Sequence, residues 1–231
     1  MAHYAFSKND YLLSQCKNCG FLFVDPYPTE EEIQSYYGVN YRSAHADFYP
    51  KAKSRSRRAF WRSLRFVRYV YKKNVLEIGC GGGFMVHAFS RLGAIASGVD
   101  LSANSIAYAR KSFPKSTFYC ESLEAFSGRG LAFDFIFSSE VFEHLAGTSE
   151  VMAAISRMSK LGTFVYVSAP DLSHPGVPED IRLWADISPP EHLQFFTRDA
   201  LLALFRRYGF ELHREFPHKS PAHDKLFVRT R

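Results

Sequence analysis

Val75-Leu76-Glu77-Ile78-Gly79-Cys80-Gly81-Gly82-Gly83-Phe84 is the stretch on which the fold turns. A buried strand runs into glycines and then into a helical pattern over residues 84–92. Glycine allows a tight turn and lets a ligand touch main chain where a Cβ would stand. The helix that follows offers free N–H groups. A dinucleotide fingerprint, G-x-G-x-x-G, fails here, because its last position counted from Gly79 is Phe84. The pattern present is E-x-G-x-G-x-G, from Glu77 to Gly83. Asp100 ends the next strand, 21 residues after Gly79, where a carboxylate can accept from both hydroxyls of a ribose.

Outward from this turn, short apolar runs alternate with helical patterns. Strands are expected at residues 74–78, 95–101, 117–120, 133–138, 163–168, 210–216 and 225–229. Helices are expected at 84–92, from the cap Ser102 to 112, at 149–160, and at 197–208 between the cap Thr197 and the stop Gly209. The alternation predicts an α/β, doubly wound parallel sheet. Residues 1–73 and the Pro-rich loop 170–190 break the rhythm. The expected division is an N-terminal cap over 1–73 and a ligand-binding domain over 74–231.

Composition bounds the classes. The chain has 231 residues, 46% apolar and 16% aromatic, enough for a full core. No apolar run approaches the ~18 residues of a membrane helix. MAHYAFSKNDYLL has no apolar segment after a basic start, so no secretory signal is expected. Four Cys make no disulfide scaffold, and a reduced, cytoplasmic setting is the expectation. The net charge of +6 is local: residues 51–73 hold ten basic residues and no acid, which leaves the rest at −4. There Phe60, Leu64, Val67 and Tyr71 recur at helical spacing, predicting an amphipathic helix with these four against the sheet. Its Arg-rich faces read as solvated, with a phosphate-binding face as the alternative.

A second constellation follows the fourth strand of the domain: Glu140-Val141-Phe142-Glu143-His144. A helical turn starting here would set Glu140 beside Glu143 and His144. His192, beyond the Pro-rich loop, can return to the same edge. Two Glu and two His suit Mg²⁺, Mn²⁺ or Zn²⁺, which would lower a substrate hydroxyl's pKa. Without metal, His144 and His192 are the candidate general bases. Both readings remain open.

The Glu77–Gly83 motif with Asp100 resembles the class I S-adenosylmethionine (SAM)-dependent methyltransferases over residues 74–231. The resemblance implies a Rossmann-like seven-stranded sheet in order 3-2-1-4-5-7-6, the last strand antiparallel, with helices on both faces. It implies that Gly79, Cys80, Gly81 and Gly83 line the methionine portion of the cofactor, behind Glu77. Asp100 would hold the ribose, Leu101 would pack on adenine, and Glu121 and Ser122 would lie near the adenine amino group. Main chain near Ser138 would meet the cofactor's amino group. E-x-x-E-H with a distant His before F-F-T is similar to two groups: metal-dependent O-methyltransferases of the ubiquinone pathway and small-RNA 3′-terminal 2′-O-methyltransferases.

Residues 16–41, opening on Cys16-Lys17-Asn18-Cys19-Gly20, resemble the lead of a group that includes sugar C-methyltransferases. In that group an earlier C-x₂-C completes a zinc ribbon, and Tyr41 matches a Tyr that covers the cofactor. Only half of the ribbon is present, so zinc at Cys16 and Cys19 is not expected. The expected function is SAM-dependent methyl transfer to a small-molecule hydroxyl on a sugar or phenol, with S-adenosylhomocysteine (SAH) as product. The alternatives are an RNA 3′-terminal 2′-O-methyltransferase and a non-catalytic cofactor-binding or scaffold protein.

Overall fold

The computed structural model describes residues 1–29, 31–33, 49–217 and 220–231. Its main sheet has seven strands: β4 (Asn74–Ile78), β5 (Ile95–Asp100), β6 (Thr117–Cys120), β7 (Phe133–Ser139), β8 (Ser159–Pro170), β10 (Phe210–Glu215) and β11 (Ala222–Arg229). Their order is β10-β11-β8-β7-β4-β5-β6. β11 runs antiparallel to both of its neighbours, and the pairs from β8 to β6 are parallel. Numbered within the domain, this is the expected order 3-2-1-4-5-7-6 with an antiparallel last strand.

Helices cover both faces. On one, α3 (Phe84–Arg91) and α4 (Ala103–Ser112) share a core with the N-terminal helix α1 (Ala52–Ser63) and the short α2 (Val67–Val70), centred on Phe66, Phe89 and Phe135. On the other, α5 (Leu123–Ser127), α6 (Thr148–Arg157) and α7 (Arg198–Arg207) enclose Phe126, Ile155, Phe205 and Phe227. The caps follow the sequence. Ser102 accepts from Ser105 N–H, Ser122 from Ala125 N–H and Thr197 from Ala200 N–H. Thr29 and Glu32 form a reciprocal capping box.

The basic segment departs from the expected phase. Val67 and Tyr71 are exposed, whereas Ala59, Ser63, Phe66, Tyr69 and Val70 are buried. A 3-10 turn at Leu64–Phe66 interrupts the α-helix. It advances about 120° per residue instead of 100° and rotates the buried stripe off the Phe60-Leu64-Val67-Tyr71 line.

A second sheet has four strands, β1 (Ala2–Lys8), β2 (Tyr11–Cys16), β3 (Leu22–Val24) and β9 (Gln194–Phe195), in order β1-β2-β3-β9. Its last strand thus comes from far along the chain. Leu13, Leu22 and Val24 pack with Trp184, Ile187, Leu193 and Phe195 in a third core. Lys8 Nζ donates to the carbonyls of Arg182 and Trp184, and Asn9 Nδ2 to that of Pro189. The Pro-rich loop is therefore strapped to the N-terminal strands. Among the described residues, no helix is long and apolar enough to cross a membrane.

Candidate active site

The glycine turn forms a ledge at the carboxyl end of β4. Gly79, Gly81 and Gly83 have φ of +67°, +48° and +76°, a region that L side chains avoid. A Cβ on Gly83 would lie 2.6 Å from the Phe118 ring, and one on Gly79 would run into Val141. The Tyr49 ring lies against Gly81 and Gly82, packed on Tyr108 and Phe84. Tyr49 lies in the 36–60 stretch expected to line the pocket, and no spacing signal marks it within that stretch.

Glu77 is buried and faces inward. Val86 N–H donates to its Oε2 at 3.0 Å, capping α3, whose N-cap Gly83 has no side chain. Burial pushes this carboxyl up to about 8 against the lowering effect of that hydrogen bond. Asp100 accepts from Gly81 N–H through Oδ2 and from Ser102 N–H through Oδ1, each at 2.8 Å. Burial raises its pKa, and the two hydrogen bonds oppose the rise. Each carboxylate oxygen keeps a second lone pair for a hydroxyl.

Other sequence candidates are placed as follows. Leu101 is 75% exposed at the strand end, an apolar surface beside Asp100. The Cys80 thiol is buried against Gly98, so only its main chain faces the ledge. Glu121 is paired with Arg129 at 2.8 Å, and the Ser122 hydroxyl caps α5. Ser138 is buried with a partnerless hydroxyl. Tyr41 lies outside the described residues.

The second constellation forms a corner where β7 ends. The helical turn expected from Glu140 does not form, because Glu140 has φ +57° and the 3-10 turn starts at Phe142. Glu140 instead takes a hydrogen bond from Ser168 Oγ at 3.3 Å. The ligand atoms of Glu143, His144 and His192 all lie within 4.8 Å of one another, and Glu140 is not part of that group. His192 arrives because β9 is stitched to the turn: Leu193 N–H donates to Glu143 O and Gln194 Nε2 to Phe142 O, each at 2.7 Å.

The electrostatics of this corner are unusual. Glu143 is fully buried; its carboxyl lies against that of Glu140, and its oxygens have no other hydrogen-bond partner among the described residues. Burial first, then the Glu140 charge, pushes its pKa well above the carboxylate range. His144 Nδ1 lies 2.6 Å from Glu191 O, and His192 Nδ1 lies 2.6 Å from Asp186 O. A carbonyl only accepts, so each Nδ1 carries hydrogen and each lone pair sits on Nε2. Burial lowers His144 to about 4.

The strand order and glycine ledge define the Rossmann-like class I methyltransferase fold. The chain belongs to the methyltransferase-domain family, whose model matches residues 33–215. It is 34% identical over 113 residues to a ubiquinone biosynthesis O-methyltransferase of Chelativorans sp. (strain BNC1), covering 47% of this chain and 45% of that protein. It is 35% identical over 98 residues to the protein of the same name from Bartonella quintana (strain Toulouse), covering 41% and 40%. The chain thus aligns with less than half the length of these relatives. Among solved structures, magnesium protoporphyrin IX methyltransferase from Synechocystis PCC 6803 with bound SAH superposes with a TM-score of 0.62 at 15% identity, covering 87% of this chain and 100% of that one. A SAM-dependent methyltransferase from Mesorhizobium loti gives 0.60 at 19% identity, covering 74% and 98%. At these identities the likeness is one of fold.

Proposed function

We propose that the chain transfers a methyl group from SAM to a hydroxyl oxygen of a small molecule, supported by a divalent cation at Glu143, His144 and His192. The observation that carries the cation is Glu143: a buried carboxyl with no partner but Glu140 among the described residues, beside two imidazoles whose Nδ1–H groups are tied to carbonyls. A buried polar group without a partner is costly, and a cation satisfies it. His144, lowered to about 4, is a poor general base near neutral pH and a good neutral ligand. When bound, the cation would act as a Lewis acid toward the acceptor oxygen. The names of the aligned O-methyltransferases favour an oxygen acceptor.

The ledge fits SAM. The positive-φ glycines leave main chain exposed, Asp100 has lone pairs for the ribose, and Leu101 offers an apolar surface to adenine. In the reaction the S–CH₃ bond breaks as O–CH₃ forms in line, and the acceptor's proton departs. In this reading Glu140, which lines the cavity with Ser139 and accepts from Ser168, takes that proton. Most of the rate comes from alignment of the two reactants. Arg62 and Arg65 turn into this cavity rather than along an outer stripe, which favours a small acceptor over a nucleic-acid track.

Titration of Mg²⁺, Mn²⁺ and Zn²⁺ into SAH-loaded protein by calorimetry tests the reading. One site is expected for at least one ion, lost in Glu143→Ala and in His192→Ala. No ion binding, or binding unchanged in both variants, overturns the cation.

A further inference from the structure

The face that α1 turns toward the catalytic edge is not apolar. Arg58, Trp61 and Arg62 share one face of α1 at i, i+3, i+4 spacing; with Arg65, from the 3-10 turn that follows, they line a cavity of about 600 Å³. Its opposite wall is Ser139, Glu140 and Ser168, at the carboxyl ends of β7 and β8. The cavity therefore opens on the edge that holds the glycine ledge and Glu143.

The charges of the cavity do not cancel. Arg65 is closed off by Asp224, which is 3% exposed, through two bonds of 3.0 and 3.1 Å. Among the described residues, the hydrogen-bond partners of the Arg62 guanidinium are neutral hydroxyls, Ser139 Oγ at 3.0 Å and Tyr166 OH at 3.2 Å, and it lies over the Phe137 ring at 5.3 Å. Glu77, the acid within electrostatic reach of Arg62, is raised to about 8 and so is mostly uncharged at neutral pH. Among the described residues, neither Arg58 nor Arg62 forms an ion pair. That leaves two guanidinium groups facing one carboxylate, Glu140. Guanidinium is the side chain whose fork matches a carboxylate or phosphate. Trp61 lines the same cavity, 66% exposed, with one ring contact to Phe60 at 6.2 Å and a flat apolar face left to solvent.

We infer that the acceptor is an acid: a flat apolar body bearing a hydroxyl and a carboxylate or phosphate, with Arg58 and Arg62 binding the anion and Trp61 covering the body. This rests on the methyltransferase reading and adds the substrate class. A second source of the same chemistry is the carboxylate of the cofactor's own methionine portion, and the test separates the two.

The probes are 3,4-dihydroxybenzoate and catechol, titrated into SAH-loaded protein. They differ by one carboxylate. The acid is expected to bind about tenfold or more tightly than catechol, a difference of ~1.4 kcal/mol or more. Arg58→Gln and Arg62→Gln should each remove most of that preference and leave SAH affinity within about twofold. Arg57→Gln, on the same helix but outside the cavity, should change neither. Equal binding of the two probes overturns the inference. So does an Arg62→Gln variant that keeps the acid preference but binds SAH weakly and 5′-methylthioadenosine normally, since Arg62 would then serve the cofactor. Failure of the wild type to bind SAH at all would instead sink the methyltransferase reading, and this inference with it.

Discussion

Two regions on one sheet edge bury carboxylates in opposite ways. At the ledge, Asp100 accepts from Gly81 and Ser102, and Glu77 accepts from Val86. At the corner, Glu143 is buried as deeply, and among the described residues its oxygens have no partner but the Glu140 carboxyl. The ledge acids hold the turn in shape, and on the proposed reading the same groups serve cofactor binding. An unpaired buried acid costs stability, and the proposed cation would offset that cost at the corner. The supports differ as well. Ledge residues lie within one β4-turn-α3-β5 stretch, whereas the corner joins a turn at Phe142–His144 to a segment strapped down by the N-terminal strands.

The comparison breaks most sharply at Glu143. Glu143→Gln should lower methyl transfer about 10²-fold or more, some 3 kcal/mol of transition-state stabilisation, while leaving thermal stability equal or higher. A parallel loss of stability would place Glu143 with the ledge acids. Next is the turn itself. Gly79→Ala meets both φ +67° and the Val141 side chain, and should cost roughly 3 kcal/mol in denaturant unfolding. An unchanged midpoint would show that the turn is not held in this form.

Glu77 gives the pH arm. Its folded pKa, about 8, lies above the unfolded value near 4.5, so the native state keeps a proton that the unfolded chain has released. The associated stability is full below 4.5 and is lost as pH rises through 8. Glu77→Gln should remove most of that decline, which linkage puts at roughly 5 kcal/mol between those limits. Identical pH profiles for variant and wild type would remove the buried-acid account. The smallest effect is Ser102→Ala, which deletes the α4 cap for about 1 kcal/mol and should leave cation binding at the corner untouched.

What could be read from the chain alone was what is encoded locally. The glycine turn, the acid at Asp100, the caps Ser102 and Thr197 and the strand order all follow from spacing within a few residues or from the family resemblance. Of the contacts between distant segments, the return of His192 to Glu143 and His144 is legible, and the others are not. The pairing of β9 with β3 depends on two residues, Gln194 and Phe195, too short a strand to announce itself. The left-handed Glu140 takes that side chain out of the expected foursome, and no residue type at 140 signals it. The phase shift after Ser63 has no marker such as Pro or Gly in the 3-10 turn Leu64–Phe66. The Arg-rich face is legible in the spacing, whereas its turn into a cavity beside Ser139 and Glu140, with Trp61, needs the helix set against the sheet.

The most direct measurement is calorimetric titration of SAH into wild type and Asp100→Ala, with unfolding curves for both. The account expects micromolar binding by the wild type and at least about tenfold weaker binding by a folded variant. No SAH binding by wild type, or equal binding by a folded Asp100→Ala, would contradict it.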